Sequence, residues 1–141
     1  MTDLRECLKK GYLKKEKYDP LLVKKEFKEA DYDLNKARKA LEDKDFKWAI
    51  IKCYYSMFHA AKAILFSMGL REKRHFAVQV VLEDIIKNGR LESIYLEYLS
   101  ASMEAREDAD YRYTYSVEMA REMLEYSVKF ISKMKNIVKN S

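Results

Sequence analysis

The stretch from Phe46 to Gly69, FKWAIIKCYYSMFHAAKAILFSMG, constrains the fold more than any other part of the chain. Wound at 100° per residue it is apolar on almost every side, with only Lys52, Ser56 and His59 forming a narrow polar strip. Such a helix is at home only where neighbours cover most of its circumference, so the rest of the chain must supply those neighbours. Its lysines, and the absence elsewhere of an uncharged apolar run near the roughly 20 residues that a bilayer requires, argue against a membrane span. Gly69 suits the left-handed conformation that commonly ends a helix.

The neighbours are written as amphipathic stripes. Asp19 before Pro20 reads as a cap followed by proline at the first helical position, and Val23, Phe27, Ala30, Leu34, Ala37 and Leu41 then recur at helical spacing. The polar run EDKD at 42–45 interrupts that pattern, and Asp45 can cap the central helix. After the basic turn LREKR a shorter helix begins near His75, turns Val78, Val81, Leu82 and Ile85 inward and ends at Asn88 and Gly89. A fourth strong segment is expected from Leu91, with Tyr95, Tyr98, Leu99 and Ser102 inward. Ser116 caps a last helix whose stripe reads Val117, Ala120, Leu124, Val128, Ile131 and Val138, and Leu4, Cys7 and Leu8 add a short helix at the start.

With three glycines and one proline in 141 residues, strand and turn chemistry is scarce. The expected fold is all-α: one domain over 1–141, an up-and-down bundle of four to five main helices. Net charge is +5, but 28 basic residues stand against 23 acidic ones and are spread along the sequence, which permits an anionic partner without demanding one. Cys7 and Cys53 fit no zinc spacing, so no metal or cofactor is expected. Free thiols and the lack of a signal-peptide core in MTDLRECLKKGYLKK point to the cytoplasm, and a single glutamine, Gln79, amid dense Lys and Glu hints at a heat-adapted source.

One residue breaks the pattern of the fourth helix. Tyr95, Tyr98, Leu99, Ser102, Arg106, Ala109 and Tyr113 project into one sector, so an arginine continues an otherwise inward stripe. A guanidinium cannot shed its charge and must be paired if buried, and Asp110 one turn later is the nearest carboxylate. The pair reads either as a structural ion pair near a helix end or as an arginine at the mouth of a cleft that receives phosphate. Tyr111, Tyr113 and Tyr115 follow, as the amphipathic edge of a core or as stacking surfaces for bases. His59 lies on the polar strip of the central helix, and His75 at a helix start can join Arg71 and Arg74 around an anion. For both histidines a hydrogen-bonded structural or solvated role is the plainer alternative.

AIIKCYYSMFHAAKAILFSMG, then HFAVQVVLEDIIKNGRL, then AREDADYRY resemble the HEPN-domain proteins, in the prokaryotic branch paired with minimal nucleotidyltransferases. The resemblance covers roughly positions 20–135, with YYSMFHAAKA and REDADY its most specific pieces. It implies a helical bundle that forms a homodimer, toxin-antitoxin biology, a minimal nucleotidyltransferase as partner, and nucleotide or RNA as ligand. The resemblance also implies that many members are metal-independent ribonucleases, marked by an arginine followed after roughly four to six residues by a histidine. Arg106 matches that arginine, but positions 111–113 read Tyr-Arg-Tyr and the histidine is missing. Activation of a 2′-hydroxyl near neutrality suits imidazole and not a phenol, whose reference pKa is about 10. Arg106 and Asp110 are therefore the residues left to carry any chemistry, and Arg106, Tyr111, Tyr113, His75 and His59 the candidate ligand-binding set. The leading expectation is a nucleotidyltransferase partner with a binding cleft around Arg106. A ribonuclease using an unusual acid or base, and a helical interaction module without ligand, are the alternatives. The resemblance further implies that a tyrosine beside the motif can accept a nucleotidyl group.

Overall fold

The computed structural model describes residues 2–140. Its elements run α1 (Leu4–Lys10), β1 (Leu13–Lys15), α2 (Pro20–Glu42), α3 (Phe46–Ser67), β2 (Leu70–Glu72), α4 (Phe76–Lys87), α5 (Ile94–Tyr111) and α6 (Val117–Lys139). Helices dominate and pack as a bundle, as the sequence leads one to expect.

Four helices begin where a short polar side chain accepts from an otherwise unpaired backbone N–H: Asp3 from Glu6, Asp19 from Leu21, Asp45 from Trp48 and Ser116 from Met119. No side chain caps α4 or α5, whose preceding residues His75 and Ser93 are already helical in backbone conformation. The fourth long segment starts at Ile94, three residues later than its apolar pattern suggests, because Leu91 is buried in the preceding turn.

Helix α3 occupies the centre, packed against α2, α6 and α5. Ile50, Cys53, Met57, Ala60 and Ile64 are almost completely buried, and Ser127 of α6 donates to the Cys53 carbonyl at 3.2 Å. On the remaining face, Lys52, Tyr55, His59 and Lys62 stay half-buried. Lys52 and His59 meet α2 through Asp33 and Glu26, while Tyr55 meets α5 through Arg106. Ser56, read as part of the polar strip, is fully buried and donates to the Cys53 carbonyl at 2.7 Å.

The phase of α6 differs from its sequence reading. The buried set is Ala120, Met123, Ser127, Phe130, Ile131 and Met134, whereas Val128 is exposed and Val117, Leu124 and Val138 are only half-buried. A sorting by polarity misplaces the stripe because it assigns Ser127 to solvent. The folded chain satisfies that hydroxyl with the carbonyls of Met123 and Cys53.

The two short strands were not foreseen. LREKR does not form a simple turn: Leu70–Glu72 pairs antiparallel with Leu13–Lys15, Lys14 opposite Arg71. Leu13, 1% exposed, and Leu70 anchor this ribbon in the main core. Gly69, at φ 71°, makes the reversal into β2, and a Cβ there would stand 3.1 Å from the Glu16 carbonyl oxygen. The same residue's own carbonyl accepts from Glu16 N at 2.8 Å.

Candidate functional site

Arg106 leaves α5 one turn before its end and lies against α3. Its guanidinium stands over three tyrosine rings, 5.7 Å from Tyr54, 5.8 Å from Tyr55 and 5.7 Å from Tyr111. Nη2 donates to the Tyr55 hydroxyl over a long 3.5 Å, and Nε is 3.2 Å from Asp110 Oδ2. That last contact is at ion-pair distance, yet the N–H of Nε is buried and makes no hydrogen bond. Charge is thus compensated while the directional donors are under-used. Burial works against its charge, but Tyr55, Tyr111, Asp110 and Tyr54 outweigh it and hold the Arg106 pKa above its ordinary value. Burial also pushes the Tyr54 phenol up, against the pull of Arg106.

Arg106, Asp110 and Tyr111 therefore converge. Tyr111 is exposed at the last residue of α5, and Tyr113 lies beyond it, strongly exposed, with φ at 54° and Lys47 Nζ 5.8 Å from its ring centre. A left-handed tyrosine is uncommon and costs about 1–2 kcal/mol. Tyr54 and Tyr55 belong to this cluster and were not among the expected residues. They lie on the central helix, but helical periodicity carries no information on which turn of one helix meets which turn of another.

His59 sits one turn beyond Tyr55 on α3 and is engaged by α2. Its Nδ1 donates to Glu26 Oε2 at 2.6 Å, and its Nε2 is 3.6 Å from Asp33 Oδ2. The Glu26 hydrogen bond raises the imidazole pKa above the ordinary value. Burial would raise Glu26, yet the hydrogen bond from His59 and the nearby Lys62 bring it below the usual carboxylate value, whereas Asp33 is raised by burial despite Lys52 and His59. His75 is exposed at the start of α4, with its ring 5.0 Å from that of Phe58. Arg71 does not gather with it: that guanidinium pairs with Glu16 at 2.9 Å and lies over Phe66. Among the described residues no cluster of His, Cys, Asp and Glu is placed to hold a metal ion, and no helix is long and apolar enough to cross a membrane.

Comparison with known proteins places the chain in a family. A Methanocaldococcus jannaschii protein bearing the name "Putative toxin" is 30% identical over 112 residues, covering 78% of this chain and 84% of that protein. A UPF0332 protein of Archaeoglobus fulgidus is 29% identical over 119 residues, 78% of this chain and 95% of the relative, and one of Pyrococcus horikoshii is 34% identical over 84 residues, 59% of each. The HEPN domain model matches residues 23–140, from the second turn of α2 through all of α6, and so takes in Arg106, Asp110 and Tyr111. The chain belongs to the HEPN-domain family.

Proposed function

We propose that this chain is the HEPN component of a toxin-antitoxin-like pair, working beside a minimal nucleotidyltransferase, and that its Arg106 cleft binds the phosphate of a nucleotide or RNA. The observation that carries the reading is the under-used guanidinium: Arg106 is about a quarter exposed, and its Nη2 makes only a hydroxyl contact at the limit of bonding distance. A phosphate oxygen pair would supply the directional acceptors that Asp110 and Tyr55 do not. Tyr111 beside it offers a ring for a base and a hydroxyl that a nucleotidyl group can reach. The name carried by the Methanocaldococcus relatives supports the toxin side of the pair.

Robust metal-independent RNA cleavage is not part of this proposal. No histidine follows Arg106, and His59 has both ring nitrogens turned to carboxylates. A competing reading, a structural ion pair with no ligand, draws on the 3.2 Å contact with Asp110.

Arg106→Ala separates the two. Loss of a charge-assisted contact worth about 1.5–3 kcal/mol is expected to weaken binding of a labelled nucleotide or oligoribonucleotide by about tenfold or more, with the helical circular dichroism retained. Unfolding of the variant supports the ion-pair reading. Co-purification with the product of a neighbouring nucleotidyltransferase gene, followed by mass spectrometry of the 104–121 peptide, tests the partner and the tyrosine. An unmodified peptide under all conditions removes the acceptor role.

A further inference from the structure

Basic residues that look dispersed in the sequence are gathered by the β1–β2 pairing. Residues 9–17 and 71–75 hold eight lysines and arginines against two glutamates, leaving 20 basic and 21 acidic residues for the remainder of the chain. The entire positive surplus of the molecule therefore belongs to this ribbon and its flanks. Lys14, Lys15, Lys17, Lys73 and Arg74 are exposed and, among the described residues, enter no ion pair. Lys14 stands directly across from Arg71, whose charge is met by Glu16 at 2.9 Å, so Lys14 is left as the unpaired cation of that cross-strand pair. The Tyr12 carbonyl accepts from both Lys73 N and Arg74 N, so the cationic turn is fixed to the ribbon.

We propose that this ribbon is a second nucleic-acid contact, a landing surface for the phosphates of a single strand whose path continues toward Arg106. Packed rings connect the flank of the ribbon to Arg106, through half-buried Phe58 and buried Tyr54. Exposed His75 rests on Phe58 at 5.0 Å, Phe58 stacks on Tyr54 at 5.9 Å, and Arg106 covers Tyr54 at 5.7 Å. Phe76, also exposed, meets Tyr12 of the ribbon edge to face at 5.2 Å. Exposed cations beside the exposed rings of His75 and Phe76 suit a ligand that carries both phosphates and flat bases, which an anionic bilayer or an acidic protein does not. The first basic segment precedes the part of the chain that the HEPN model matches and the second lies within it, so the β1–β2 pairing joins cations from inside and outside that match. The proposal rests on the Arg106 reading only for the direction of the strand; the affinity of the ribbon is independent of it.

Fluorescence anisotropy of an end-labelled oligouridylate, titrated with the full chain over a range of salt, is the test. With about 0.7 counterions released per neutralised single-strand phosphate, the five free cations predict a slope of log K against log salt between about −3 and −4. The combined variant Lys14→Gln, Lys15→Gln, Lys73→Gln, Arg74→Gln is expected to bind at least about tenfold more weakly, with a slope near −1. Circular dichroism checks its folding, and Lys14→Gln and Lys73→Gln alone should each flatten the slope by about 0.7. Arg106→Ala should keep the ribbon's slope to within about 0.7. Wild-type affinity and slope in the single and combined ribbon variants overturn the proposal, and so does capture by phosphatidylserine vesicles or polyglutamate as tight as that of the oligonucleotide. Undiminished binding by Arg106→Ala alone removes the cleft reading and leaves the ribbon standing.

Discussion

At His59 one imidazole ties two helices together through the carboxylates of Glu26 and Asp33. Because its folded pKa is raised, folding takes up a proton there. The stabilisation is complete below the ordinary imidazole value of about 6.5 and is lost as pH climbs through the raised folded value. Glu26 has the opposite sign: its lowered pKa gives stability above the usual carboxylate range that disappears in acid. A charged hydrogen bond of this kind contributes about 1.5–3 kcal/mol. Thermal melts from mildly acidic to mildly alkaline pH should show the wild type losing stability above neutrality, and His59→Gln should be less stable in acid and flatter across that window. Parallel curves for the two proteins would dismiss the linkage. Cys53 makes a second residue-scale expectation. Burial pushes its thiol up to about 12, so alkylation at mildly basic pH should proceed only as fast as the protein opens. Rapid labelling of that cysteine in the folded protein, followed by mass spectrometry, would contradict its burial.

Among the elements, the ribbon has the most to say about what anchors the amino terminus. Leu13→Ala removes a side chain only 1% exposed and is expected to cost about 2–5 kcal/mol in denaturant unfolding, while Lys14→Ala next to it should stay within about 0.5 kcal/mol. Equal effects would mean that the strand is not fastened to the core. The same strand illustrates where sequence reading stops. Apolar patterns sustained over several turns announce α2, α3 and α4, and capping aspartates mark the starts of α2 and α3. Leu13–Lys15 offers one apolar residue and two lysines, too little for any period, and its pairing depends on a partner far along the chain. The phase of α6 was hidden by the single polar residue Ser127, whose acceptors lie on its own helix and on α3. At the site, Arg106 and Asp110 were legible because an i, i+4 pair is local. Tyr54 and Tyr55 were not, since their meeting with Arg106 spans about half of α3 and half of α5 in register terms that no single helix records.

For the whole molecule, the proposed homodimer would bring the carboxy-terminal part of α5 against a second copy, with Arg106 and the exposed Tyr111 and Tyr113 near the contact. Light scattering at high micromolar concentration is then expected to give the mass of two chains, and a monomer there would count against it. The ribbon adds a consequence in time. Glu16 and Arg71 are 55 positions apart, so during synthesis β1 leaves the ribosome and waits for β2, at about 5–20 residues per second, for roughly 3–10 s. The α2 and α3 pair, joined by a short turn, can close before that wait is over. In pulse-labelled refolding, amides of the ribbon should gain protection after those of α2 and α3. A nascent chain halted before Gly69 already holds the whole first basic segment, yet as a loose tail, and the cationic surface comes into being only when the second strand arrives.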